Sequence, residues 1–155
     1  MNQLSSALLS ETAASVLADC AFLMLDPAAS PGPFEGDAVR TTLSFTGASH
    51  SGELSLCAPR QMLIGAAADM LGLPPDDESL PEQAEAALNE LANVLLGVLL
   101  VRAFGAKLCP LIGLPQSDSV ASVAAPDGAE FSAVLQDMEG RPFVAAVALT
   151  ARGAS

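Results

Sequence analysis

Residues 79–104, SLPEQAEAALNELANVLLGVLLVRAF, read as one long helix, and the other segments are arranged around it. Ser79 is placed to act as N-cap, with Glu82 three residues on to complete a capping box. Pro81 falls in the first turn, where a missing N–H costs little. Glu82 and Glu85 sit at the positive end of the helix dipole. From Leu91 to Val101 every residue is apolar or glycine except Asn93. At about 100° per residue, Leu88, Leu91, Ala92, Leu95, Leu99 and Ala103 form one broad stripe, the face expected against the core. Glu90 and Asn93 fall on the opposite side, with Ala86 and Gly97 above and below them and Val94, Leu100 and Val101 close by. Asn is a poor helix former, yet here it interrupts an apolar run. A carboxylate and a carboxamide are thus presented side by side, flanked by residues too small to shield them. The plain alternative is an ordinary solvated face, for which Glu and Asn need no function.

Working outward, residues 59–71 (PRQMLIGAAADML) keep a helical period, and Gly72 is placed to end it. LPPDDE then reads as an exposed acidic connector. Before this helix, Val39, Thr41, Leu43 and Phe45 alternate as a strand does, TGASHSG turns, and Leu54 and Leu56 resume the alternation, which predicts a hairpin. Residues 3–25 carry Leu4, Leu8, Val16, Leu17, Cys20 and Met24 at helical spacing, and PAASPGPFEG after them is a Pro/Gly-rich loop. Past Phe104 the pattern shifts to short strand-like runs at 108–114, 119–124, 130–137 and 143–150, with MEGRP as a turn. The order is helix, hairpin, two helices, then three or four strands. It predicts a single α+β domain over 1–155, an antiparallel sheet with long helices packed on one face.

Composition removes several function classes. The 155 residues carry a net charge of -12 with only six Lys and Arg, scattered, which argues against nucleic acid and against an anionic membrane surface. The N-terminal segment has no basic region and contains Glu11 and Asp19, unlike a signal peptide, and no wholly apolar run reaches roughly 18 residues. Cys20, Cys57 and Cys109 are odd in number and far apart, as reduced core thiols of a cytoplasmic protein would be. His50, the sole histidine, lies between two serines in the hairpin turn and is expected to be a solvated loop residue. Asp76, Asp77 and Glu78 read as a solvated connector, and the sequence contains no metal-ligand motif, phosphate-binding loop or nucleophile–histidine arrangement.

NELANVLLG, with Glu90 and Asn93, resembles the motif helix of the CheC/CheX/FliY phosphatases of bacterial chemotaxis, CheX-like proteins above all. The resemblance runs back through FTGASHSGELSLCAPRQMLIGAAADMLG, similar to the strand-turn-strand-helix before that motif, and forward to Pro115, about twenty residues past the Asn. It covers roughly residues 39–115. It implies hydrolysis of the phospho-aspartate of a CheY-like receiver, with Glu90 docking on the receiver's lysine and Asn93 positioning the attacking water. Ala86, Val94, Gly97 and Val101 would meet the partner. No cofactor of its own is implied, since the receiver supplies Mg²⁺, and CheX-like proteins are homodimers. Two departures matter. The family often has Asp or Ser where this chain has Ala86, which leaves open a catalytically silent receiver-binding or adaptor domain. A second motif copy in an earlier helix would want Asn where Glu11 is followed by Ala14, so one site is expected. An unrelated α+β interaction domain is the third reading, separable by whether Glu90 and Asn93 are buried and bonded within the chain.

Overall fold

The computed structural model describes residues 4–27, 34–47, 50–105 and 110–150. The elements run α1 (Ser6–Ala21), β1 (Asp26–Pro27), β2 (Phe34–Thr46), β3 (Ser51–Pro59), α2 (Arg60–Leu71), α3 (Leu80–Phe104), β4 (Leu111–Ile112), β5 (Gln116–Val123), β6 (Phe131–Gln136) and β7 (Pro142–Thr150). Every described pairing is antiparallel, in the order β1-β6-β7-β3-β2-β4, with β5 also on β2. This is the expected α+β architecture, with the β2–β3 hairpin extended at both ends.

Alternation decides which side of the sheet meets the helices. Val39, Thr41, Leu43 and Phe45 of β2 are buried, and they pair in register with the same face of β3, as Thr41 with Leu56 and Leu43 with Leu54. Phe143, Ala145 and Val147 extend that face into β7 and join Leu8, Leu9, Val16 and Leu17 of α1 in one core. A fully buried Leu, Val or Phe contributes about 1.5–3 kcal/mol, so this face holds the layers together.

Helix α3 supplies the largest share of the second layer. Its buried residues include Leu88, Leu91, Ala92, Leu95, Leu96, Leu99, Leu100 and Ala103. It is long and apolar enough to cross a membrane by length and composition, yet half of its most apolar window is buried inside the fold. One polar contact fixes its register on the sheet: the buried Thr41 hydroxyl donates to Asn89 Oδ1 at 2.8 Å. At its far end, the Arg102 guanidinium donates to Thr12 Oγ1 of α1 at 3.2 Å.

Several local expectations are corrected. The capping box does not form, because Ser79 Oγ donates to Asp77 Oδ1 at 2.6 Å instead of accepting from the helix. The hydrogen bonds from Ser79 hold the Asp77 carboxyl below its usual range. α1 stops at Ala21, because Phe22 turns left-handed (φ 55°) and the Leu23 N–H donates to Leu17 O, so Met24 points to solvent. Part of the expected 27–36 loop is strand: β2 starts at Phe34 and reaches β5 past an irregularity between Glu35 and Ala38. The short strand β1 escaped notice because two residues carry no periodicity. His50 is half-buried, its ring stacked on Phe104 with centroids 4.2 Å apart, and is not a free loop residue. Cys57 is buried, but on the sheet face away from the helices, where its Sγ lies 3.6 Å from Ser122 O. Burial pushes its thiol up, against smaller opposing effects of the Ala124 backbone and Arg40. Cys20 is half-buried, and Cys109 lies outside the described residues.

Thr41→Val keeps the side-chain shape and removes the donor, so it should destabilise the fold by about 1 kcal/mol in urea denaturation. A double-mutant cycle with Asn89→Ala should return a coupling of about 0.5–1.5 kcal/mol; a coupling of zero would mean the bond does not pin α3.

Candidate functional site

Because eleven residues of α3 are buried against the sheet and its neighbouring helices, the residues about 180° away on the wheel are left in solvent. At about 100° per residue, Asn93, Ala86, Gly97, Glu90, Val101 and Val94 fall, in that angular order, within an arc of about 100°. Glu90, Asn93, Ala86 and Val101 are exposed, and Val94 and Gly97 are half-buried. All six site residues named from the sequence therefore lie on one ridge. Leu100 does not belong to it: at the edge of the arc, it turns under into the core at 3% exposure.

The polar groups along α3 divide into engaged and free. Glu85 receives the Arg60 guanidinium at 3.5 Å and the Ser117 hydroxyl at 3.4 Å. Arg60, at the start of α2, also donates to Asp37 Oδ2 at 2.9 Å and to Ser119 Oγ at 2.7 Å. That single side chain ties α3 to β2 and β5. Asn89 is held by Thr41, and Arg102 by Thr12. Among the described residues, the side chains of Glu90 and Asn93 have neither an ion pair nor a hydrogen bond. Glu82 and Gln83, near the start of α3, are likewise without a side-chain partner; Glu90 and Asn93 are the polar pair left so in the middle of the helix.

Two apolar hollows flank them. A cleft of about 250 Å³ between α2 and α3 is lined by Ala67, Met70, Leu71, Gln83, Ala86, Ala87 and Glu90. A shallower dish of about 470 Å³ is lined by Asn93, Val94, Gly97, Val98, Val101 and Arg102. Glu90 borders the first and Asn93 the second. The contribution of α2 was missed from sequence. Leu71, 53% exposed beside the terminating Gly72, was the available signal: an apolar residue at a helix end that the core does not use.

Chemically the ridge offers a carboxylate to accept a cation and a carboxamide that accepts and donates hydrogen bonds without titrating. It contains no hydroxyl, thiol or amine nucleophile. Among the described residues no three His, Cys, Asp or Glu side chains converge as metal ligands would.

No family model matches the sequence, and no curated protein matches it. Solved structures do match. The CheX chemotaxis protein of Vibrio vulnificus superposes with a TM-score of 0.73 at 17% identity, covering 93% of this chain and 95% of that one. The chain has the CheX fold. A chemotactic CheC-like protein of Shewanella oneidensis matches at TM-score 0.68 and 16% identity, over 93% of this chain and 96% of that one. CheX of Borrelia burgdorferi, solved in a complex with CheY, BeF3 and Mg²⁺, matches at 0.66 and 17%, over 92% and 96%. At these identities the likeness is one of fold.

Gly97 stands mid-helix on the ridge, and a Cβ built there meets nothing within 4 Å. Internal packing does not require the glycine. Gly97→Ala should therefore stabilise the fold by about 1 kcal/mol, raising Tm by about 2–4 °C in thermal denaturation. A fall in Tm would mean the helix does need the glycine.

Proposed function

We propose that this chain is a cytoplasmic phosphatase that hydrolyses the phospho-aspartate of a CheY-like receiver in chemotaxis or two-component signalling. The observation that carries the reading is the exposure of Glu90 and Asn93, both unpartnered, on the rigid ridge of α3. The CheX fold supports it, as does the neighbour solved with CheY. In this mechanism the Glu90 carboxylate pairs with a receiver lysine and sets the docking register. Asn93 enters the receiver's site and orients a water in line with the phosphorus. Water oxygen bonds to phosphorus as the bond from phosphorus to the aspartyl oxygen breaks. The products are inorganic phosphate and the free aspartate carboxylate. Such a loose transition state needs positioning and charge neutralisation more than a strong base. The Mg²⁺ that neutralises the phosphoryl oxygens is the receiver's, so this chain brings no cofactor.

Ala86 favours one alternative. It is exposed one turn before Glu90, where the resembling family often has Asp or Ser. A domain lacking that group is a candidate for binding a receiver without hydrolysing its phosphate.

Phosphate release from an acetyl-phosphate-charged receiver separates the readings. Asn93→Ala should lower kcat by about 100-fold, the scale of a lost positioning contact. Glu90→Ala should raise KM by about ten- to a hundredfold, the worth of a charged hydrogen bond. Unchanged release in both variants overturns the catalytic assignment. Tight binding of the wild type to a charged receiver without release selects the silent adaptor.

We also propose a homodimer. β5 pairs only with β2 among the described strands, and Leu111 and Leu114 beside it are 76% and 87% exposed, which leaves an edge that a second copy can cover. Light scattering at micromolar concentration should give twice the chain mass, and a clean monomer overturns the dimer.

A further inference from the structure

We propose that the cleft between α2 and α3 is a specificity pocket that takes one bulky apolar side chain of the receiver, beside the cation that meets Glu90. The inference rests on the proposed receiver-binding role of α3.

Three observations carry it. The cleft is apolar in substance: Ala67, Met70, Leu71, Ala86 and Ala87 line it, and only Gln83 and Glu90 add polar groups. Its volume of about 250 Å³ lies below the roughly 300–1,000 Å³ of small-molecule sites. With so few polar groups to orient a metabolite, it suits a single side chain. The cleft is also continuous with the ridge, because Glu90 lines it and Ala86 belongs to both. A partner pairing with Glu90 covers the cleft mouth, and leaving it empty would forfeit dispersion contacts on every lining atom.

Leu71 gives the pocket its reason. It is 53% exposed at the last position of α2, and Gly72 ends the helix through its own left-handed backbone (φ 67°), with no help from the Leu71 side chain. Met70 next to it is half-buried, and its flexible thioether can adjust to the entering group. Apolar anchors seated in such pockets dominate association energy, while the surrounding contacts mainly exclude water. The pocket lies on the α2 side of the ridge, away from the dish that holds Asn93. It would therefore govern which receivers bind, and would leave the hydrolytic step to Asn93.

The test uses the full chain and a CheY-like receiver that the wild type dephosphorylates, charged with beryllofluoride and Mg²⁺ so that docking is read without chemistry. Leu71→Asp should weaken binding tenfold or more by fluorescence anisotropy. In turnover with the phosphorylated receiver, KM should rise by the same factor while kcat changes less than about twofold. Leu71→Met, of similar volume, should keep wild-type affinity. Ala86→Leu fills the cleft from the exposed face of α3, favours the helix, and should weaken binding even if Leu71→Asp proves unstable to heat. Wild-type affinity in a folded Ala86→Leu or Leu71→Asp variant overturns the pocket and leaves the phosphatase reading intact. If the wild type neither binds nor dephosphorylates any receiver, both fall together.

Discussion

The rest of the structure depends on how α3 is held on β2. A helix of 25 residues with eleven of them buried could slide or roll on a smooth apolar sheet without much loss of buried area. The Thr41–Asn89 hydrogen bond removes that freedom, because Thr41 is fully buried and has a donor to satisfy at one position of the helix. Arg60 does the same from the N-terminal side, by bonding Asp37, Glu85 and Ser119 together. Once these contacts set the rotation of α3, the direction of Glu90 and Asn93 follows from helix geometry alone. Water positioning needs that kind of constraint, since small errors in geometry are costly to rate.

The same helix shows how stability and the proposed activity are kept apart. Glu85, Asn89 and Arg102 are each engaged by a neighbouring element, and they serve the fold. Glu90 and Asn93, between them in sequence, serve no contact among the described residues. Gly97 completes the contrast: a mid-helix glycine lowers stability, and open space around it means no neighbour inside the chain demands it. A glycine on that ridge lets a partner's backbone approach the helix axis more closely than any side chain would. The reading of the ridge as a docking surface thus explains a residue that folding opposes.

What was legible in the sequence tracks how local its cause is. The core stripe of α3 and the alternation in β2 and β3 are periodic, so burial of Leu88 or Leu43 follows from neighbours in the chain. The end of α2 at Gly72 is equally local. Ser79 was misread because its hydroxyl can either accept from a helix N–H or donate to a carboxylate, and Asp77, two residues away in an Asx-type turn, takes it as a donor. Leu100 sits at the edge of the exposed arc, where a few degrees of helix rotation decide burial, and that rotation is set by the sheet. His50 and Cys57 depend on partners distant in the chain, Phe104 and Ser122, which no spacing rule connects to them. The exposed position of Asn93 was legible because it breaks an apolar run; the cleft beside it was not, because three of its seven lining residues come from α2.

If the ridge docks a receiver as proposed, charge would give it its selectivity. The chain carries -12, yet the ridge residues Ala86, Asn93, Val94, Gly97 and Val101 are neutral and only Glu90 is charged. Covering such a surface removes one carboxylate from water. With a cation opposite, the lost hydration is offset by a charge-assisted contact in a low-dielectric setting. Without one, a partner that fits the shape would leave the carboxylate buried and unpaired, at a cost of several kcal/mol. In the proposed complex Glu90 would therefore penalise wrong partners and wrong registers more than it strengthens the right one. An apolar cleft cannot make that distinction, because hydrophobic contact is not directional. In the proposed complex the two features are complementary: the cleft would supply affinity, and the single carboxylate would decide where that affinity may be used.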